Sequence, residues 1–166
     1  MRPTSDRARE AVFNILSSKL AGDWAACDML DVFAGTGAVG LEALSRGVRS
    51  VTLLDVNLQT ARRNAALFAN EKDRISLISA DASRLPPAPR QYNLVFLDAP
   101  YNKGLSVAAL QSLAGQGWLA DGALVLVELE KNEPLEMESI PFFEQVDERR
   151  YGLARVVFLH FLPAKK

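Results

Sequence analysis

Leu30-Asp31-Val32-Phe33-Ala34-Gly35-Thr36-Gly37-Ala38-Val39-Gly40 is the stretch that decides the fold of this chain. Apolar residues lead to an acidic position, and three glycines then follow at the spacing Gly-x-Gly-x-x-Gly. The pattern predicts a strand, a tight turn that needs glycine because side chains would block its left-handed geometry, and the start of a helix. Unpaired N–H groups at a helix start bind polar or anionic groups. The stretch therefore predicts a site for a nucleotide-like cofactor.

Strand and helix patterns alternate along the chain on both sides of this stretch. An amphipathic helix opens the sequence, with Thr4, Ser5 or Asp6 as its cap, and strand one runs to Phe33. The elements predicted after it are a helix from Val39 to near Gly47, a strand at 50–54, a helix at about 58–70, strands at 75–79 and 92–97, a helix at about 107–113, a strand at 123–129, and a hairpin of 143–150 and 155–162. This order predicts an α/β fold with a mostly parallel sheet, helices on both faces and an antiparallel C-terminal hairpin.

Length and composition limit the class of protein. At 166 residues the chain can bury a full core of its own, and we expect one domain spanning residues 1–166. Apolar runs fall short of the roughly 20 residues that span a bilayer, so we expect a cytoplasmic protein that does not bind a membrane. One cysteine and one histidine offer neither a disulfide nor a Cys/His metal cluster, and we expect no metal. The net charge of −1 shows no basic excess, so nucleic-acid binding would need a local patch.

Two classes of cofactor fit the glycine stretch. In a dinucleotide-binding enzyme the turn holds a pyrophosphate, and Asp55, at the end of the next strand, binds the ribose hydroxyls. Asp31 favours S-adenosylmethionine instead, because a carboxylate near the turn would repel a pyrophosphate and suits the cationic methionine end of that cofactor. Asp81 follows the third strand, where a side chain can accept a hydrogen bond from the adenine amino group. We therefore favour S-adenosylmethionine; the alternative is a packed turn with solvated acids.

Asp98-Ala99-Pro100-Tyr101 closes the fourth strand, at the sheet edge where open α/β folds bind ligands. Taken alone, Asp and Pro in this order are typical of a turn. Beside a methyl donor the same residues favour amine chemistry, because the lone pair of an exocyclic amine is delocalised into its base and reacts poorly. Asp98 and the Ala99 carbonyl are placed to accept its two N–H groups, and Tyr101 can stack on the ring. The base must leave its helix or loop to enter such a pocket.

Three stretches together resemble one family of enzymes. The Asp98 motif is similar to the Asp/Asn-Pro-Pro-Tyr/Phe signature of amino-group methyltransferases that act on adenine, cytosine, guanine or glutamine. With Arg2-Pro3-Thr4, Asp6-Arg7 and Arg9-Glu10, and with the stretch from Asp31 to Gly47, it resembles the RsmD family of bacterial guanine-N2 methyltransferases of small-subunit ribosomal RNA. The resemblance covers nearly the whole chain.

The resemblance implies a Rossmann-like class I methyltransferase fold with a seven-stranded sheet, S-adenosylmethionine as donor, and a monomer that acts on ribosomal RNA within the small subunit or its assembly intermediate. It implies that Asp31 lies at the methionine end of the donor, Asp55 at the ribose and Asp81 at the adenine. The cofactor residues that it implies are Asp31, Phe33, Gly35, Thr36, Gly37, Asp55, Val56, Asp81, Ala82 and Asp98. The residues implied to hold the target guanine and catalyse its methylation are Asp98, Ala99, Pro100 and Tyr101.

Two features depart from the family pattern. Ala99 stands where the first proline is usual, but it keeps the backbone carbonyl and, as a residue before proline, stays biased toward the extended conformation, so we expect activity to survive. Family members usually carry a short basic segment before Arg-Pro-Thr, and we expect that this sequence lacks it. Arg2, Arg7 and Arg9 are candidate contacts to RNA phosphates, although charges on a helix are more often a solvated face. The sequence leaves open methylation of DNA adenine or another amine, and a non-catalytic nucleotide-binding module.

Overall fold

Seven strands form one sheet at the centre of the structure, a computed structural model that describes residues 6–100 and 104–163. The parallel strands are β1 (Asp28–Val32), β2 (Ser50–Asp55), β3 (Ile75–Ser79), β4 (Tyr92–Leu97) and β5 (Leu119–Glu130). An antiparallel hairpin of β6 (Phe143–Tyr151) and β7 (Ala154–Phe161) pairs with β5 through β7. The order β3-β2-β1-β4-β5-β7-β6 confirms the mostly parallel seven-stranded sheet and terminal hairpin predicted from the sequence.

Helices cover both faces of this sheet, as predicted. They are α1 (Asp6–Lys19), α2 (Ala38–Arg46), α3 (Gln59–Ala65) and α4 (Leu105–Gly115). The first three share a hydrophobic core with one sheet face, which we name the α1 face, and α4 shares a core with the other, the α4 face. Because both faces are covered, the inner strands β1, β2 and β4 are buried along almost their whole length. None of the described helices is long and apolar enough to cross a membrane.

Alternate residues of the central strands project to opposite faces. In β4, Phe96 belongs to the core of the α1 face and Leu97 to the core of the α4 face. In β1, Leu30 and Val32 belong to the core of the α4 face. Asp31 lies between them in sequence, so its side chain projects to the α1 face. The strand therefore directs one carboxylate into the layer between the sheet and helices α1 to α3.

The prediction of a helix at about 58–70 was wrong in its second half. The α-helix ends at Ala65 and continues as a 3-10 segment, Ala66–Arg74. Phe68 leaves helical geometry there (φ −108°, ψ 48°), and its half-buried ring packs against the core of the α1 face. The packing of this aromatic ring outweighs the helical preference of the surrounding residues, because propensity is a weak prior against tertiary contacts.

Two strand boundaries also differ from the prediction. Strand β5 begins at Leu119 rather than at the predicted Ala123. Gly122, with φ 78°, allows the strand to continue through the region where its pairing with β4 shifts register. Strand β1 ends at Val32 rather than Phe33, because Phe33 adopts a left-handed backbone at φ 60°. A residue in that conformation turns the chain out of the sheet.

β6 forms the edge of the sheet on the hairpin side. Five of its nine residues are charged, and its pairing with β7 shifts register between Gln145 and Asp147. The Lys19 ammonium at the end of α1 lies 2.9 Å from an Asp147 carboxylate oxygen. The first helix of the chain is thereby joined to the last hairpin.

The strand order has a switch point between β1 and β4. After β1 the chain adds β2 and β3 on one side, and it then places β4 and β5 on the other. The loops leaving the carboxyl ends of β1 and β4 therefore diverge and form a crevice, the usual ligand site of an open α/β sheet. The Asp98 N–H donates to the Val32 carbonyl (N···O 3.4 Å), so the two strands stay paired up to this crevice.

Candidate functional site

The glycine turn leaves β1 in left-handed backbone geometry, as predicted from its sequence. Phe33, Gly35 and Gly37 have φ values of 60°, 56° and 82°, and α2 begins at the next residue, Ala38. A Cβ atom at Gly37 would lie 2.9 Å from a Leu53 methyl carbon, so this position excludes side chains by space as well as by dihedral angle. The strained residue that the sequence did not predict is Phe33, which lacks the conformational freedom of glycine.

Asp31 and Gly40 join the strand to the helix across the turn. The Asp31 side chain is buried, and the Gly40 N–H donates to its Oδ2 atom at 3.0 Å. A Cβ atom at Gly40 would lie 2.5 Å from the Leu53 Cδ2 atom, 3.0 Å from Val51 Cγ2 and 3.2 Å from Asp31 Oδ2. The third glycine of the motif therefore lets α2 pack directly on β1 and β2.

Gly40→Ala is expected to lower the free energy of unfolding by about 1–3 kcal/mol, as overpacking of a core usually does. Alanine favours helix by up to about 1 kcal/mol over glycine, but Leu53 and Val51 are fully buried and have little room to move. Chemical denaturation measures the effect. Gly115→Ala is the matched control, since a Cβ atom there meets nothing within 4 Å at the end of α4, and it should be neutral or slightly stabilising. Equal stability of both variants would contradict close packing at Gly40.

Asp55 holds the glycine turn from the neighbouring strand. Its Oδ2 atom accepts a hydrogen bond from the Gly35 N–H at 2.8 Å, and its Oδ1 atom accepts one from the Val56 N–H at 2.7 Å. The Val56 side chain is 67% exposed, an apolar surface directly beside the carboxylate. Asn64 of α3, which the sequence did not single out, donates from Nδ2 to the Thr36 carbonyl at 2.9 Å. The turn is thus fixed on both sides by side chains from the next βα unit.

Asp81 lies just after β3, exposed at the same sheet edge. Its Oδ1 atom accepts hydrogen bonds from the N–H and the hydroxyl of Ser83, at 2.9 and 2.7 Å, and Arg84 lies 3.6 Å from Oδ2. These bonds, with the Ser83 side chain foremost, lower the pKa of Asp81. The adjacent Ala82 is buried in the core of the α4 face. The carboxylate is therefore ionised and oriented by a local turn.

Asp98, Ala99 and Pro100 emerge from β4 at the crevice. Asp98 is half-buried, Ala99 is buried and Pro100 is exposed, while Tyr101 lies outside the described residues. Asp98 is close enough to Asp31 for its charge to act on that carboxyl. Two of the predicted groups, the glycine-turn acid and the acid of the second motif, are therefore brought together by the fold.

The pKa of Asp31 reflects its confined position. Burial raises the pKa to about 8, and the negative charges of Asp98 and Asp55 act in the same direction, while the hydrogen bond from Gly40 opposes them. A cation placed among the three carboxylates would relieve both the burial and the repulsion. Among the residues that the structure describes, no group of three or more His, Cys, Asp or Glu side chains is arranged to hold a metal ion.

The candidate RNA contacts are less well defined. Arg7 is exposed on the first turn of α1, and the Arg9 guanidinium pairs with Asp6 at 2.9 Å. Arg2 lies outside the described part of the chain. Arg7 and Arg9 therefore remain candidate RNA contacts because of their position on α1.

Comparison with known proteins gives consistent matches over this fold and site. The family model described as conserved hypothetical protein 95 matches residues 1–160. Ribosomal RNA small subunit methyltransferase D of Escherichia coli (strain K12) is 39% identical over 132 residues, covering 78% of this chain and 65% of that protein. The protein of the same name from Haemophilus influenzae is 34% identical over 141 residues, covering 81% of this chain and 71% of that protein. The chain thus spans 65% of the length of the Escherichia coli relative.

Solved structures confirm the fold class. HI0767 from Haemophilus influenzae, a proposed methylase, superposes with a TM-score of 0.81 at 27% sequence identity, covering 93% of this chain and 99% of that one. The sheet order, the two helical layers and this similarity establish the Rossmann-like class I methyltransferase fold expected from the sequence.

Proposed function

The chain belongs to the RsmD family, which the family model of conserved hypothetical protein 95 represents, and from this premise we propose that it transfers a methyl group from S-adenosylmethionine to N2 of a guanine in small-subunit ribosomal RNA. Relatives at 39% and 34% identity carry the name ribosomal RNA small subunit methyltransferase D, which supports ribosomal RNA as the substrate. The guanine amino group comes from the resemblance to the family. We further propose that the protein acts as a cytoplasmic monomer on the small subunit or its assembly intermediate.

The observation that carries the proposal is the pair of carboxylates, Asp31 and Asp98, on the two strands that flank the crevice. Their charges interact, and Asp31 is buried beside the glycine turn. Such a site would repel the pyrophosphate of a dinucleotide, whereas the cationic methionine end of S-adenosylmethionine fits it. This contrast favours the methyl donor over the dinucleotide alternative.

The remaining donor residues follow from the position of each loop at the same edge. Gly35, Thr36 and Gly37 would lie along the methionine end, with Phe33 at the start of the turn. Asp55 has both oxygens engaged with backbone N–H groups, and each keeps a second lone pair for the ribose hydroxyls. The exposed Val56 side chain would pack on the adenine, and Asp81 with Ala82 would bind its polar edge.

Asp98 and the Ala99 carbonyl would hold the target amine. S-adenosylmethionine supplies a methyl group that its sulfonium charge activates for attack. Asp98 and the carbonyl accept the two N–H groups of the amine, which favours a pyramidal nitrogen whose lone pair is directed at the donor. This positioning supplies much of the acceleration. Ala99 is buried in the core of the α4 face, which supports a fixed position for its carbonyl although the usual proline is absent. Tyr101 is proposed to stack on the base.

Transfer of labelled methyl from S-adenosylmethionine to three acceptors tests the function. The acceptors are small ribosomal subunits from cells that lack the modification, the naked ribosomal RNA, and duplex DNA. We expect label on the ribosomal acceptors, mapped to a guanine amino group by nuclease digestion and mass spectrometry. Label on DNA alone would establish the alternative, a DNA adenine or other amine methyltransferase. Donor binding without transfer to any acceptor would leave the non-catalytic module as the function of this chain.

A further inference from the structure

The turn between β6 and β7 lies at the same edge of the sheet as the proposed donor site. Strand β7 is antiparallel to β5, and Ala154 at its start pairs with Glu130 at the carboxyl end of β5. The Lys131 N–H donates to the Leu153 carbonyl at 2.8 Å, which joins the turn to the chain leaving β5. We name residues 149–153 together with Lys131 the hairpin tip.

The hairpin tip lies on the side of the crevice away from the proposed donor acids. Asp31, Asp55 and Asp81 belong to β1, β2 and the loop after β3, which form one side of the sheet. From β4, which carries the target-base motif, the order continues in the other direction through β5, β7 and β6. Two strand spacings, about 10 Å, separate β7 from β4. The tip is therefore a neighbour of the acceptor position and not of the donor.

The tip also projects past the level of the crevice. Leu97 of β4 pairs with Val127 of β5, so Asp98 is level with the residue after Val127. Glu130, which pairs with Ala154, lies two residues farther along the strand direction, about 7 Å beyond Asp98. A strand of nucleic acid that leaves the crevice on this side would meet the hairpin tip.

The exposed charges of the hairpin tip are all positive. They belong to Lys131, Arg149 and Arg150. The acids nearest to them in the sequence are half-buried: Glu130, Glu133, Asp147 and Glu148. At the donor side of the same edge the prominent charges are the carboxylates of the proposed donor site. Phosphate groups would be repelled there and attracted at the tip.

The acids of β6 do not neutralise the cations around them. An Asp147 carboxylate oxygen lies 2.9 Å from the Lys19 ammonium and 2.8 Å from the Arg149 guanidinium. Glu148 is shared in the same way by two arginines, at 3.3 and 3.5 Å. One carboxylate balances one of its two cations, so each group keeps a positive charge. The chain as a whole has a net charge of −1, which makes this local surplus informative.

We propose that the hairpin tip binds phosphates of the RNA segment next to the target guanine, with Lys131, Arg149 and Arg150 as the contacting cations. This inference rests on the proposed function, because it takes the base held at Asp98 as the point from which the RNA strand leaves the crevice. Leu153 is 77% exposed on the same turn, so it lies at the surface that the RNA would cover.

The salt dependence of RNA binding tests these contacts. Equilibrium affinity for the ribosomal acceptor that the wild-type protein methylates is measured with S-adenosylhomocysteine in place of the donor, for the wild-type protein and for Arg149→Gln/Arg150→Gln. Each phosphate contact that is lost should reduce the slope of log affinity against log salt by about 0.7 to 0.9. The affinity ratio of wild-type protein to double variant should therefore fall about 10-fold between about 50 and 200 mM salt.

The chain offers a matched control for this loss of charge. Arg62 and Arg63 are a second adjacent pair of exposed arginines, on α3 at the donor side of the sheet, and Arg62→Gln/Arg63→Gln should keep the wild-type slope. The hairpin variant should fold, since Lys19 still pairs with Asp147. Equal slopes for the hairpin variant and the wild-type protein would overturn the proposal. So would an equal reduction in both double variants, which would show only an effect of net charge.

Cross-linking from the turn locates the partner independently of the arginine variants. Cys27 is the only cysteine of the sequence and is 4% exposed, so a photoreactive thiol reagent would modify Leu153→Cys selectively. Leu67→Cys, at a position that is 82% exposed just after α3, is the control on the donor side. We expect cross-links from position 153 to nucleotides close to the methylated guanine, and at most weak cross-linking to RNA from position 67.

Cross-links from position 153 to a ribosomal protein alone, or to nothing, would overturn the proposal while methyl transfer persists. Failure of the proposed function has a different signature, the absence of methyl transfer by the wild-type protein to ribosomal acceptors. Transfer to guanine with an unchanged salt slope and no RNA cross-link would reject the role of the hairpin tip alone.

Discussion

Replacing Asp98 by alanine is expected to lower the rate of methyl transfer by about 10³-fold, within the range seen when a group that positions or exchanges a proton is removed. The amine would lose the acceptor that directs its lone pair, while the glycine turn and Asp55 stay in place. Donor affinity, measured by calorimetry, should therefore change far less than turnover. Single-turnover assays with saturating donor and acceptor separate the two effects.

Two variants control this result. Asp98→Asn keeps an acceptor oxygen, as in members of the signature that carry Asn, and should retain more activity than alanine. Asp121→Ala removes an exposed carboxylate at the opposite end of the sheet, on the first part of β5, and should not affect transfer. If Asp98→Ala turned over as fast as the wild-type protein, the motif would be a simple turn and the catalytic proposal would fail.

Donor affinity is expected to increase about 20-fold between pH 6 and pH 7.5, because a group with a pKa near 8 must lose its proton to pair with a cation. Burial raises the pKa of Asp31 to about 8 in the free protein, and the ionised carboxylate is the form that would hold the methionine amino group. The comparison is limited to pH 7.5 because the α-amino group of the donor itself loses its proton near pH 8. Calorimetry in buffers of different ionisation enthalpy would measure both affinity and the proton released. In Asp31→Asn the donor affinity should be weaker and nearly independent of pH. An equal pH dependence of donor affinity in the variant and the wild-type protein would contradict the assignment of this titration to Asp31.

The same carboxyl group gives the free protein a pH-dependent stability of defined sign. The raised pKa means that the folded state binds a proton more tightly than the unfolded state between about pH 4 and pH 8. Stability contributed by the protonated form is therefore lost as the pH rises through that window, by at most about 1.4 kcal/mol per pH unit. Asp31→Asn should remove this component, and saturating donor should reduce it.

Much of the site could be predicted because backbone chemistry determines it. The spacing of Gly35, Gly37 and Gly40 predicted a strand, a left-handed turn and a helix, and all three are present. Acidic residues near the carboxyl ends of parallel strands lie at the same edge of the sheet, and this is why Asp31 and Asp98 are close together. These inferences needed only local geometry and the direction of the strands.

Features that depend on packing between distant segments could not be predicted. Phe68 interrupts its helix because of a core that other elements build, and Phe33 adopts a backbone that the sequence pattern assigns to a strand.

The outer strand β6 also bears on how this protein behaves at high concentration. An edge strand with free N–H and C=O groups is a template on which a second chain can add a strand, the first step of many aggregation reactions. The charged side chains along β6 and its register shift beside Asp147 make that template polar and irregular. The Lys19 contact then holds the irregular region against α1, so the hairpin is anchored to the rest of the fold. The sheet thus ends on this side in a strand that resists self-templated growth.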